Sequence, residues 1–231
     1  MILTKLSFAL LLRDDFSGED ILSGGHAFMV DGKRVAPVRK PEGYYIFTGI
    51  SRLCTVSVFS AHYESAEFQV DPGAVDPQNP VLVGRLLRRG DIRFSDCDRI
   101  EGTHKPGETV FAFAPESPPL LLAAASGGSI TLQGYTAKQL CRRRYAVGSG
   151  KNRELFVITG ADEDGGYRVE PPLIRKHSAG EAVVRAYMGR CDSGGHFVLP
   201  VEKGIKEKIE KLEYYDEGEK QWGYLSVTAP S

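Results

Sequence analysis

The stretch His26-Ala27-Phe28-Met29-Val30-Asp31-Gly32-Lys33-Arg34-Val35-Ala36-Pro37-Val38 decides the fold class. His26 to Val30 is a short β-prone run, Asp31-Gly32 is a strong two-residue hairpin signal, and Arg34 to Val38 is the return run, so the two are expected to pair antiparallel. The same pattern continues outward on both sides. Thr4 to Arg13 reads as an opening strand and Asp14-Asp15-Phe16-Ser17-Gly18 as a loop. Pro41-Glu42-Gly43 reads as a turn and Tyr44 to Thr48 as an aromatic and β-branched strand. Leu53 to Phe59 alternates, with Leu53, Thr55, Ser57 and Phe59 on one face and Cys54, Val56 and Val58 on the other. Ser65 to Val70 completes the series. Runs this short cannot bury a face alone, which predicts two sheets packed against each other in a small sandwich.

Composition agrees. The 231 residues include 26 Gly and 13 Pro, too many backbone breakers for a helical bundle. Lys plus Arg number 29 against 30 Asp plus Glu, a formal charge of −1, so no whole-chain field gathers nucleic acid or an anionic membrane. Cys54, Cys97, Cys141 and Cys191 are spread singly with no C-x-x-C pair, which fits reduced thiols in a cytoplasmic protein rather than a zinc ribbon. Leu6 to Leu12 follows Lys5 but runs straight into Arg13-Asp14-Asp15 without a small-residue cleavage site. It is therefore read as a strand, with cytoplasmic synthesis and no signal peptide expected. Leu120 to Ala125, the most apolar later run, is bounded by Pro118-Pro119 and Ser126-Gly127-Gly128, so no membrane insertion is expected.

Asp71 to Pro80 holds three prolines and no apolar periodicity. Residues 1–80 carry seven basic and ten acidic groups, a net of −3, whereas 81–200 carry 17 and 13, a net of +4. The expected organisation is a sandwich over 1–71, a Pro-rich linker over 72–80 and a second β domain over 81–231. Strands of that domain are expected at Val81 to Leu87, Thr109 to Phe113, Leu120 to Ala124, Ser129 to Leu132, Leu155 to Thr159, Tyr167 to Val169, Ala182 to Tyr187 and His196 to Pro200. Trp222 to Val227 is expected to add one more. Eight runs at this spacing predict a closed barrel or a second sandwich. Thr136 to Arg144 suggests one or two helical turns. Ile205, Ile209 and Leu212 fall at amphipathic spacing, which predicts a short C-terminal helix within Lys203 to Tyr215.

Residues 4–71 resemble the transthyretin-like (prealbumin-like) sandwich of carboxypeptidase regulatory-like domains. The resemblance is carried by the opening strand, by Ser17-Gly18-Glu19-Asp20-Ile21-Leu22, and above all by Arg39-Lys40-Pro41-Glu42-Gly43-Tyr44-Tyr45-Ile46-Phe47-Thr48-Gly49-Ile50. That last run is similar to the family's K-x-D/E-G-x-Y-x-F-x-x-L signature. Two departures stand out: no proline precedes Ile21, and Cys54 stands where a Tyr or a small residue is commoner. From Leu120 onward, LLLAAASGGSITLQG followed by RELFVITGADEDGGYRVEPPLIRKHSAGEAVV resembles the β-barrel units of phage-tail-like and contractile injection system structural proteins. These resemblances imply binding or assembly and supply no catalytic residues.

The constellations that could carry chemistry are few. Asp162-Glu163-Asp164-Gly165-Gly166 offers Asp162 and Asp164 as oxygen ligands for Ca²⁺, but the contiguous spacing without a twelfth-position Glu fits a solvated hairpin tip, and no cofactor is expected. Arg142, Arg143 and Arg144, with Lys138, Lys151 and Arg153 near and Tyr135 and Tyr145 flanking, form the one basic cluster able to hold phosphates. In a strand, successive arginines point to opposite faces, which favours a solvated edge or a protein interface over nucleic acid. Tyr44 and Tyr45, with Phe47, Phe59 and Tyr63, could offer a platform to sugars, although Tyr45 and Phe47 share a face that must be partly core. Ser149 lies in Gly148-Ser149-Gly150, which matches neither a nucleophile elbow nor a P-loop. The five histidines are isolated, and His177 has a structural role in the barrel-unit pattern.

The expected function is a non-enzymatic structural or adaptor protein, a component of a phage-tail-like or contractile injection particle. It would act through contacts with other protein subunits as a homo-oligomer or particle component. The alternative is a carbohydrate- or protein-binding surface-recognition module, and a third reading is a hydrolase with a site between the domains.

Overall fold

The computed structural model describes residues 6–133, 140–162, 164–209 and 211–225. About 55% of the chain is strand and 3% helix, the all-β class that the turn spacing predicts. Two compact units divide it, Met1–Arg89 and Gly90–Ser231.

The first unit is built from β1 (Leu6–Asp14), β2 (His26–Val30), β3 (Lys33–Val35), β4 (Val38–Arg39), β5 (Tyr44–Thr48), β6 (Cys54–Ser60), β7 (Ala66–Val70) and β8 (Val81–Leu86). They form two four-stranded sheets, in the orders β4-β5-β1-β8 and β3-β2-β6-β7. The hairpin forms as the sequence directs: Val30 pairs with Lys33, and Asp31 and Gly32 turn the chain at φ 48° and 75°. Positive φ at both central residues matches the right-handed twist of the flanking strands. The alternation of β6 is observed in part: Cys54, Val56 and Val58 are buried and Leu53 and Phe59 exposed, but Ser57, expected on the outer face, is also buried and donates its hydroxyl to Glu67 at 3.2 Å. Phe8 stacks on its ladder partner Phe47 at 4.8 Å between ring centres, and between the sheets Phe28 meets Tyr45 at 4.6 Å.

Two expectations are corrected here. Arg34 to Val38 is not one strand: Lys33–Val35 pairs with β2, whereas Val38–Arg39 pairs with β5 in the other sheet. Pro37 lies at the crossing, where its missing N–H ends the ladder. Nor does the second unit begin at Val81. β8 runs parallel to β1 from Ala9↔Val81 to Asp14↔Leu86, so Asp71 to Pro80 links two strands of the first unit. Gly84 permits this pairing, because a Cβ there would lie 2.7 Å from the Phe68 ring. The strand brings its charges with it. Arg85 pairs with Asp15 at 2.6 Å, and Arg88 beyond the strand end pairs with buried Asp14 at 2.8 Å.

The second unit comprises β9 (Cys97–Thr103), β10 (Thr109–Ser126), β11 (Ser129–Leu132), β12 (Arg144–Val147), β13 (Glu154–Ala161), β14 (Tyr167–Glu170), β15 (Ala182–Arg190), β16 (His196–Glu202), β17 (Leu212–Asp216) and β18 (Gln221–Leu225). One sheet runs β11-β14-β13-β12-β15-β10-β17-β18, and β11 also pairs with the C-terminal half of β10. The strands β10-β11-β14-β13-β12-β15 therefore close into a six-stranded antiparallel barrel. Its interior is filled by Leu120, Leu122, Ile130, Tyr145, Phe156 and Ile158 among others. β17 and β18 continue the sheet from the N-terminal half of β10, and β9 pairs with β16 separately.

Thr109 to Phe113 and Leu120 to Ala124, expected as two strands, are one strand with a register shift between Pro115 and Leu120. The C-terminal helix is also corrected. Only Lys206–Lys208 forms a single 3-10 turn, and Leu212–Asp216 is a strand. Leu212 pairs with Ala112 and Tyr214 with Val110, so ladder hydrogen bonds and burial of Leu212 override the helical spacing. The helical expectation at Thr136 to Arg144 falls mostly on residues outside the described set, and Arg144 opens β12. No helix among the described residues is long and apolar enough to cross a membrane.

Candidate functional site

The densest gathering of perturbed titratable groups surrounds Arg185 in the second unit. Alternation along β15 places Val183, Arg185 and Tyr187 on one buried face, and Arg185 stands opposite Tyr145 of β12. The Arg185 side chain is 2% exposed. Its Nη1 donates to the Arg144 carbonyl at 3.1 Å, and its guanidinium lies 5.6 Å from the Tyr145 ring centre and 5.4 Å from that of Tyr187. Glu202, at the end of β16, approaches Arg185 at 4.0 Å and Arg143 at 3.1 Å. Glu116 enters from the register shift of β10. Burial, and then Glu202, raises its carboxyl above the usual range, although Arg185 and Arg143 oppose this. Burial also pushes the Tyr145 and Tyr187 phenols well above their ordinary value, so both remain protonated. Two guanidiniums face two carboxylates, and this balanced cluster fixes β10, β12, β15 and β16 to one another.

A second cluster lies where β17 and β18 extend the sheet. Glu213 is buried and paired with Arg153, whose guanidinium lies 4.0 Å from the Phe113 ring centre and 5.5 Å from that of Trp222. Trp222 packs edge-on against Phe111 at 5.1 Å and lies 5.3 Å from Tyr215. β18 follows as the end of the sheet. Among the described residues it pairs with a strand on one side only, it contains no charged residue, and its Tyr224 is 58% exposed.

A third cluster centres on His177, whose side chain is 1% exposed. Its Nε2 lies 2.8 Å from Glu154 and its Nδ1 3.0 Å from Glu181. Glu154 also accepts the Ile174 and Arg175 N–H groups, and Glu181 accepts that of Ser178. Burial works to raise the Glu154 carboxyl, but these hydrogen bonds together hold it below its ordinary value. The Ser178 N–H and then His177 lower Glu181. The three side chains pin the segment between β14 and β15.

The residues singled out from sequence do not converge. Arg142 is exposed at φ 71°, Arg143 pairs with Glu202, and Arg144 gives its carbonyl to Arg185, so the basic run is divided. Lys138 and Tyr135 lie outside the described residues. Asp162 accepts the Ser129 hydroxyl at 2.8 Å and closes a turn with Gly165 and Gly166, while Asp164 is exposed; Glu163 is outside the described set. Among the described residues no three His, Cys, Asp or Glu side chains gather to hold a metal. Tyr45 is core and contacts His26 Nδ1 through its hydroxyl at 2.9 Å, while Tyr44 on the opposite face is half-buried. His104 lies 2.7 Å from the partly exposed Glu108, a local pairing four residues apart. Sequence reasoning missed Arg185, Glu202 and Glu213. An arginine at an inward position of Ala182-Val183-Val184-Arg185-Ala186-Tyr187 was the available signal for the first.

No family model, curated protein or solved structure matches this chain. The structure itself defines an all-β protein of two units.

Proposed function

We propose that the protein is a non-enzymatic structural or adaptor component of a phage-tail-like or contractile injection particle, acting through protein–protein contacts. The observation that carries this reading is β18, an edge strand without charged residues that presents Tyr224. Free strand edges pair with other chains unless charge, proline or a cover blocks them. The barrel interior is occupied by large apolar side chains, and the principal charged clusters of the second unit are tied inward, which suits a rigid building block. The sequence resemblance of both halves to assembly modules supports the same reading.

Gel filtration of a lysate from cells carrying the neighbouring genes, followed by electron microscopy of the fractions, tests it. The expected result is co-elution of the chain with an ordered particle of megadalton size. Recovery of the chain only at the 25.3 kDa of a monomer contradicts it.

A further inference from the structure

The first unit contains a cleft of about 550 Å³ at the place where the chain crosses twice between its sheets, at Ala36-Pro37 and at Gly49 to Arg52. Small-molecule sites span roughly 300–1,000 Å³ and combine an apolar lining with a few fixed polar groups. Val30, Val35, Ile46, Phe47 and Ile50 supply the apolar lining here. Lys33 and Arg52 supply two cations at the same cleft, both exposed, and among the described residues neither is held by a carboxylate. The acid in the lining, Asp31, is already engaged, since its Oδ1 accepts the Thr55 N–H at 2.9 Å. That hydrogen bond leaves the Asp31 charge in place, so Lys33, Arg52 and Asp31 together leave the cleft at +1, within a stretch, residues 1–80, that carries seven basic against ten acidic groups.

We propose that this cleft binds a small amphipathic carboxylate, an apolar chain or ring bearing one anionic group. The apolar body lies against Val30, Val35, Ile46 and Ile50, and the carboxylate faces Lys33 and Arg52. The charge complementarity favours an anionic head over a neutral or cationic one, and the aliphatic side chains of the lining favour a hydrocarbon body over a sugar. The inference is independent of the assembly reading.

Titration of the full chain with decanoate, decanol and decylammonium, followed by amide chemical shifts, tests the proposal. Decanoate is expected to shift Val30 to Val38 and Ile46 to Arg52 saturably. Decanol should act at the same amides about tenfold more weakly, and decylammonium more weakly still. The double variant K33E/R52E, which changes two exposed side chains, should lose about tenfold for decanoate and abolish its advantage over decanol. Ala36→Trp, which fills the cleft from an exposed lining position, should remove the shifts altogether while leaving far-UV circular dichroism unchanged. Decanoate shifts located elsewhere, equal binding of all three probes, or decanoate binding unchanged in K33E/R52E would each overturn the proposal.

Discussion

Arg185 of β15 stands directly across the ladder from Tyr145 of β12, its guanidinium 5.6 Å from the ring centre, at the edge of the apolar barrel core. A buried cation in that position is tolerated because Glu202, Glu116, the Arg144 carbonyl and two phenol rings surround it. Replacing it by Met removes one of the two guanidiniums and leaves Glu116 and Glu202 facing Arg143 alone. Losing one partner of a fully buried pair costs about 3 kcal/mol; Glu202 is 35% exposed, so solvent screening reduces that cost here, and the Tyr145 hydroxyl, which makes no hydrogen bond of standard geometry, is removed at a smaller cost still. Trp222 is the sole tryptophan and lies in the second unit, so its emission follows that unit during denaturant unfolding. Arg185→Met should lower the midpoint strongly and Tyr145→Phe slightly. Equal, small effects would show that the cluster does not hold the barrel together.

The His177 clamp gives acid sensitivity of a definite sign. Glu154 and Glu181 are both held below their ordinary value of 4.5, so their contribution to stability is complete above the unfolded carboxylate value and is lost as pH falls through the lower folded value. Glu116 is raised and acts in the opposite direction, favouring the fold when protonated and losing that contribution as pH rises through its folded value. The Ile174 and Arg175 amides, which donate to Glu154, should titrate with an apparent midpoint below 4.5 by NMR. In Glu154→Gln that titration should vanish. A midpoint at or above 4.5 would contradict the clamp.

Gly84 is where β8 passes Phe68 of the facing sheet. Gly84→Val places a Cβ 2.7 Å from that ring, and overpacking of this kind costs about 1–3 kcal/mol. Amide exchange should show lost protection in β1 and β8, with the Trp222 emission of the second unit unaltered. Wild-type protection in β8 would mean that the two sheets can separate there at little cost.

These positions also show how much could be read from sequence. Asp31-Gly32 and the alternation of Cys54, Val56 and Val58 were legible because hairpin turns and half-buried strands are fixed by near neighbours. The parallel pairing of β8 with β1 was not, because its partner lies some seventy residues away and a proline-rich connection looks the same inside a unit as between units. β12 was hidden by its flank, since Arg142-Arg143-Arg144 reads as a solvated run until Glu202 and the β15 ladder are in place. Leu212 has helical spacing to Ile209 and Ile205, yet the ladder to β10 claims it. The clusters around Arg185, His177 and Glu213 each join residues from distant strands, so no local spacing could announce them.

The most direct test of the assembly reading is solution mass by light scattering over a wide concentration range, for the wild type and for Tyr224→Lys. Lysine at an open edge blocks strand pairing, and Tyr224 is exposed enough to be replaced without entering the core. The wild type should rise above 25.3 kDa with concentration towards a closed oligomer, and Tyr224→Lys should remain at the monomer mass. A wild type that stays at 25.3 kDa throughout, indistinguishable from Tyr224→Lys, would contradict self-assembly through β18.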